Sequence, residues 1–347
     1  MKITTFKFLL LLYIVPCIAF AAKHTKEKKI SKVYNVSSDA GLDITNKYGN
    51  IYVTTWDENK TAIDIVIRVS AKDERIVVKR LNSINVLLNA TKSNVSAITQ
   101  IADMQIRGNI TMEINYTVKI PKKGNIKLSN EYGNIILGTI YGSSNIRCQY
   151  GSFSANELNS NSNLIKIEYC GASKIDFVKT ADIKISYSDI YIGNSYVVNL
   201  IAEYSNTDIK KCNEINYNCS YGDIQIANGV KVIGKGDYLN TKIGTISNLI
   251  NVTANYGNLK VNNRSITTKN IAINSSYMGI DFEFNPNYNF DFEFSTQYGG
   301  VSDTSGIQYT TKQENDNRGY YKGYYKNSGL NKVYIKTEYG HINLSKN

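Results

Sequence analysis

One tyrosine recurs along this chain in a fixed setting, usually followed by glycine. The series is Tyr48, Tyr132, Tyr150, Tyr169, Tyr187, Tyr204, Tyr221, Tyr238, Tyr256, Tyr277, Tyr298 and Tyr339. From Tyr132 to Tyr298 neighbouring members lie 17 to 21 residues apart. A sustained period in this range restricts the chain to a stack of like units, each covering the next.

Apolar residues hold fixed offsets from each tyrosine. Ile165 and Ile167 stand four and two residues before Tyr169, and Ile183 and Ile185 do the same before Tyr187. Three and five residues after the tyrosine come Ile51 and Val53, Ile190 and Ile192, Ile224 and Ile226, and Leu259 and Val261. Each side alternates with period two, so each side reads as a half-buried strand. The parity changes across the tyrosine, as at a bulge or corner, and a following glycine suits such a bend. Alternation places the tyrosine with the inward residues, which makes the series a structural ladder along one corner. The expected fold is all-β: a single-chain parallel β-solenoid with rungs of about 18 residues, each step rising by about 4.8 Å. A β-propeller, with blades of about 40 residues, is the weaker competitor. The composition agrees with an all-β chain: 27 Tyr and 24 Gly against 3 Pro, with 42% hydrophobic residues to fill a core.

Two stretches interrupt the series. Between Tyr48 and Tyr132 the alternating strand Thr61–Ser70 is followed by Asp73–Asn82, whose acidic start and basic end suit a short helix. Further strands are expected near Ser83–Leu88 and Met112–Ile120. A stack of rungs needs a cover over its first unit, and this strand and short-helix insert is the expected N-terminal cap. Between Tyr298 and Tyr339 lies a polar, Tyr- and Gly-rich segment that reads as a flexible loop. The organisation is therefore an export signal over 1–21, a basic tail over 22–43, the first rung and cap over 44–131, and regular repeats over 132–301. A loop over 302–331 and a final rung over 332–347 complete it.

The export signal rests on Lys2 and Lys7, the apolar run Phe8–Ile14, and the small-x-small site Ala19-Phe20-Ala21. That run is too short for a membrane span, and no later one is long enough. The protein is thus expected in the periplasm, on the outer surface or secreted. Its formal charge of +11 falls to +9 without those two lysines. The run Lys23-His24-Thr25-Lys26-Glu27-Lys28-Lys29 reads as a solvated terminus. Cys148, Cys170, Cys212 and Cys219 would follow the signal. Their even number permits disulfides, yet Cys148 and Cys219 fall on inward positions that suit buried thiols.

Two clusters are candidate sites. Arg318, Tyr320, Tyr321, Lys322, Tyr324, Tyr325 and Lys326 place aromatic rings beside cations on the 302–331 loop, a combination suited to binding. Asp281, Glu283, Asp291 and Glu293 are two carboxylate pairs facing outward, with Phe282, Phe284, Phe292 and Phe294 inward. Brought together they would offer Ca²⁺ its oxygen ligands, or an acid/base pair to a polysaccharide-acting enzyme. No other cofactor is expected. With 2 His in the chain, a triad hydrolase or multi-histidine metal centre has little to draw on, and His341 is the one residue left to test as a lone base. The chain carries no nucleic-acid-binding motif.

Asn46–Glu74 (NKYGNIYVTTWDENKTAIDIVIRVSAKDE), Ile114–Ile135 (INYTVKIPKKGNIKLSNEYGNI) and Lys332–Leu344 (KVYIKTEYGHINL) together resemble the bacterial "putative adhesin" domain family. These are β-strand-repeat proteins of Bacteroidetes-type organisms, similar to the head domain of autotransporter adhesins. The resemblance runs from about Ile44 to Leu344. Departures are Tyr169-Cys170, Tyr187-Ser188, Tyr204-Ser205, Tyr238-Leu239 and Tyr277-Met278, where glycine is usual. The resemblance implies a parallel solenoid and an extracytoplasmic, adhesin-like, non-catalytic role, and it offers no catalytic residues. The expected partner is a cell-surface glycan or an envelope protein. Alternatives are an envelope structural or sensing component and a polysaccharide-acting β-helix enzyme. An exposed end strand would also allow self-association.

Overall fold

The computed structural model describes residues 23–104 and 109–347, so the export signal expected over 1–21 lies outside the described residues. The protein is all-β, 74% strand and 3% helix, with its strands joined in one large, nearly closed mixed sheet. No helix among the described residues is long and apolar enough to cross a membrane.

Each repeat supplies an entry strand that leads into its tyrosine and an exit strand that leaves it. Entry strands pair in parallel with entry strands one repeat along. Ile126–Glu131 pairs with Ser144–Gln149, which pairs with Asn163–Glu168. Exit strands do the same: Ile135–Ile140 pairs with Phe153–Leu158. This matching of like positions follows from the period, because it sets each inward Ile or Val above its counterpart. Ile165, Ile167, Ile183 and Ile185 are all buried on the entry side, and Ile190, Ile192, Ile224 and Ile226 on the exit side. The four cysteines are buried and unbridged. Burial pushes the Cys212 thiol up to about 11 and the Cys219 thiol up to about 12.

The strands around Tyr48 meet those around Tyr132 directly. Gly41–Lys47 pairs in parallel with Ile126–Glu131 despite the long insert between them. The insert folds over the outer side of that rung. Asn94–Ile101 adds in parallel to Gly41–Lys47 and takes Ile84–Ala90 antiparallel. On the exit side, Thr111–Pro121 adds in parallel to Ile51–Trp56 and takes Lys60–Ala71 antiparallel. The helix Glu74–Asn82 starts where the Asp73 carboxylate accepts the Arg75 N–H at 2.8 Å, and it buries Val77. The segment read as a basic tail is a strand instead. His24–Asn35 pairs antiparallel with Lys60–Ala71 at the sheet edge. Exposed lysines on an edge strand discourage further pairing, so charge that reads as solvation here marks an edge.

The C-terminal end departs from chain order. Asn331–Glu338 lies between Asn270–Phe284 and Phe290–Gln297, parallel to both. The last repeat in sequence is thus inserted before the one that precedes it. The segment 302–331, expected as a loop, contains an antiparallel hairpin of Gln308–Asn315 and Arg318–Tyr325. Its second strand pairs antiparallel with Phe290–Gln297. These antiparallel ends are what make the sheet mixed. Beneath them Phe282, Phe284, Tyr288, Phe290 and Tyr325 pack with ring centroids 5.0 to 6.2 Å apart. This aromatic plug closes the end of the core.

Candidate functional site

The twelve repeat tyrosines form one continuous stack. Neighbouring ring centroids are 4.6 to 5.2 Å apart and the rings are within 12° of parallel. Its order follows the strands: Tyr339 sits between Tyr277 and Tyr298, 4.7 Å from each. The rings are not inward. Every ladder tyrosine has a left-handed backbone, with φ between 50° and 63°, and the eleven from Tyr132 onward are 41–51% exposed. Alternation could not show this, because a left-handed residue turns its side chain out of the strand's pattern. The conformation costs about 1–2 kcal/mol for a residue with a Cβ. Stacking on two neighbours returns about 0.5–1.5 kcal/mol each. Tyr204→Ala should therefore destabilise by about 2 kcal/mol. Tyr204→Gly should cost less, by about 1 kcal/mol, because glycine accepts the left-handed turn. Urea midpoints of the two variants read the difference. A glycine variant no better than the alanine one would remove strain from the account.

Ring faces in this stack cover one another, so the ladder offers ligands only ring edges and phenol oxygens. At the N-terminal end, the Lys47 ammonium stands 5.5 Å from the rings of both Tyr48 and Tyr132 and pairs with Glu131 at 3.0 Å. That hydrogen bond raises its pKa above the usual lysine value.

A second ladder runs beside the first. Two residues after the tyrosine, Asn206 donates from Nδ2 to Asp189 at 2.9 Å, Asn240 to Asp223 at 2.8 Å, and Asn258 to Asn240 at 3.1 Å. Asn206 Oδ1 accepts the Asp223 backbone N–H at 3.1 Å. Sequence reasoning missed this row. Its signal was available in the recurring Asn or Asp at that offset.

At the C-terminal end the strand Arg318–Tyr325 divides the expected binding residues. Tyr321 and Tyr325 point inward. Tyr321 donates to Glu314 at 2.8 Å, and burial followed by that carboxylate pushes its pKa up to about 12. Tyr325 donates to the Pro286 carbonyl at 3.2 Å. Arg318, Tyr320, Lys322 and Tyr324 alternate to the outer face. Lys326, left-handed at φ 60°, ends the strand and donates to Asn287 at 2.9 Å. Register then places Asp291 between Tyr324 and Lys332, Glu293 between Lys322 and Tyr334, and Ser295 between Tyr320 and Lys336. The result is a chequered outer face of aromatic and charged side chains. A depression of about 550 Å³ lies between Arg318, Tyr320, Gln313, Ser295, Gln297 and Lys336. Tyr334 and Lys336 were missed because their strand is a neighbour only through the exchanged order.

The four carboxylates do not converge. Asp281 and Glu283 lie on an exit strand, where Asp281 accepts from Asn343 at 2.8 Å and Glu283 pairs with Lys260 at 2.6 Å. Asp291 and Glu293 lie on an entry strand, and Asp291 accepts the Gly329 N–H at 3.0 Å. Among the described residues no three His, Cys, Asp or Glu side chains group as metal ligands. His341 Nε2 lies 2.7 Å from Ser302 Oγ on the exposed exit edge. None of the described bonds joins its other ring nitrogen to a carboxylate, the third member that would orient such a pair.

No family model matches the chain, and no curated protein matches it. Solved structures overlap it along most of its length at low similarity. One is a "putative cell adhesion protein" from Clostridium sporogenes, 12% identical, with 93% of this chain and 100% of that one covered and a TM-score of 0.22. A "putative adhesin" from Bacteroides fragilis is 12% identical, with 92% and 97% covered and a TM-score of 0.30. Another "putative adhesin", from Parabacteroides merdae, is 8% identical, with 91% and 96% covered and a TM-score of 0.38.

Proposed function

We propose that this chain is an exported, non-catalytic, adhesin-like parallel β-solenoid that binds an acidic cell-surface glycan through its C-terminal tip. The solenoid reading is supported by parallel registers that match like positions one repeat apart. The observation that carries the binding reading is the tip face, where three strands hold Tyr320, Tyr324 and Tyr334 among Arg318, Lys322, Lys332 and Lys336, four cations against the carboxylates of Asp291 and Glu293. Aromatic rings supply contact area at low entropic cost, and the cations supply attraction to an acidic partner. Strand pairing fixes these side chains in advance of binding, which lowers the cost of ordering them.

A glycan and envelope-component array tests this with the purified chain and a Tyr320→Ser/Tyr324→Ser/Lys336→Ser variant. All three positions point outward, so circular dichroism and melting should match the parent. Binding should be saturable and weaken with salt, and the variant should bind at least about tenfold less tightly, a loss of about 1.4 kcal/mol. No binding to any acidic glycan, or equal binding by both proteins, would end this reading. Binding to an envelope protein alone would move the partner to that class.

A further inference from the structure

A groove of about 630 Å³ runs along the repeats, beside the tyrosine ladder and away from the tip. One wall is the amide and carboxylate ladder of Asp189, Asn206, Asp223, Asn240 and Asn258. The other is formed two residues further on by Tyr191, Asp208, Gln225, Lys242 and Lys260. Between them lies the backbone at Ile190, Thr207, Ile224 and Thr241. Each rung therefore contributes the same three positions, and the groove is itself periodic. Its step is given by the adjoining rings, 5.0, 4.6, 5.0 and 4.7 Å from Tyr187 to Tyr256.

We infer that this groove binds one strand of an extended, uncharged β-1,4-linked polysaccharide, laid along the axis with about one sugar per rung. This site goes beyond the tip and is independent of it. Three features select the occupant. First, the rise per sugar of such a chain is close to the strand spacing, so successive sugars fall on corresponding positions of successive strands. Second, the wall keeps free hydrogen-bonding capacity. Asn206, Asn240 and Asn258 each commit one amide hydrogen to the ladder and hold the second, and Asp189 and Asp223 each accept side-chain bonds through Oδ1 and hold Oδ2. Amides and carboxylates in that state suit hydroxyl groups, which both donate and accept. Third, the charges oppose a charged polymer. Asp189, Asp208 and Asp223 occupy one end and Lys242 the other, while Lys260 is paired with Glu283 at 2.6 Å. An anionic chain or membrane would meet the three aspartates. The stacked rings beside the groove leave no face open for sugar stacking, so recognition falls to the polar wall and to Tyr191.

Calorimetric titration of the full chain with cello-oligosaccharides of increasing length, and affinity electrophoresis in hydroxyethyl cellulose, test the assignment. Affinity should rise with each added sugar and level off near about five, one for each of the five rungs at about 4.8 Å per step. Salt should change it little. Tyr191→Ala/Gln225→Ala should weaken binding at least about tenfold, and Gln225→Trp should block the groove. Both positions are outward, and neither belongs to the hydrogen-bonded ladder. The tip variant should bind these sugars as the parent does, so failure here and failure of the tip reading are separate results. Protection from hydrogen exchange on adding sugar should fall within 187–260. The assignment is overturned if the full chain binds neither probe. It is equally overturned if groove variants bind like the parent, or if only charged polymers or vesicles bind.

Discussion

Deleting Lys332–Asn347 should detach the whole C-terminal tip while the middle rungs stay folded. In a stack that followed chain order, this deletion would remove one terminal rung and little else, because each unit contacts only its neighbours. Here the deleted strands stand inside the stack. Among the described residues, Asn331–Glu338 is the strand through which the backbone pairing of Asn270–Phe284 and Phe290–Gln297 runs. Ile342–Lys346 likewise joins Ile280–Phe284 to Val301–Asp303. The deletion removes the buried side chains of Val333, Ile335, Ile342 and Leu344, each worth about 1.5–3 kcal/mol. It also leaves Phe292 and Phe294 without the rung that covers them. The expected outcome is loss of hydrogen-exchange protection over 287–325, with protection retained over 126–260. Binding through the tip should disappear with it. Protection that persists over 290–325 would contradict the exchanged strand order.

That exchange marks the boundary of what the residues could reveal. The inward positions and the all-β class were legible because alternation is a property of neighbouring residues. Ile165 and Ile167 are buried as their offsets from Tyr169 require. The position of Tyr339 between Tyr277 and Tyr298 was not legible. Nothing local distinguishes a last rung that ends the stack from one that enters it, since both present the same inward pattern. The tip was half legible for the same reason. The run Arg318–Lys326 was visible as a Tyr and Lys cluster, but a loop has no inside, and only strand pairing sends Tyr321 and Tyr325 into the core. The partners on the outer face, Tyr334 and Lys336, came with the exchanged strand. The tyrosine ladder was legible as a ladder, and its outward direction was hidden in the sign of φ. The carboxylate pairs failed as a cluster because entry and exit strands belong to different sides of the corner, although the residues lie close in sequence.

Gly151→Ala should be among the most disruptive single-methyl changes available to this protein. A Cβ at Gly151 would stand 2.0 Å from the Gly133 carbonyl oxygen and 2.6 Å from its carbonyl carbon. Both are backbone atoms, held in place by parallel pairing on each side of the corner, so no side chain can swing away. A shift of one rung also presses on the next, because a Cβ at Gly133 would already meet the Gly49 oxygen at 1.9 Å. Overpacking that forces backbone to move costs about 1–3 kcal/mol, and a clash this short belongs at or above the upper end. Corners without glycine show the alternative arrangement. At Cys170 and Ser188 the backbone N–H donates to the Oγ of the serine one rung along, Ser188 at 3.0 Å and Ser205 at 3.1 Å. A serine oxygen thus takes part in the contact between corners that glycine makes through bare backbone. Gly138→Ala provides the control: its Cβ would lie 3.4 Å from Thr54 Cγ2, and the change should stay within about 1 kcal/mol. Urea midpoints followed by far-ultraviolet circular dichroism, together with the near-ultraviolet signal of the stacked tyrosines, would compare the two. Equal midpoints would mean that neighbouring corners can separate without loss, and close backbone contact would then not be what holds the ladder in register.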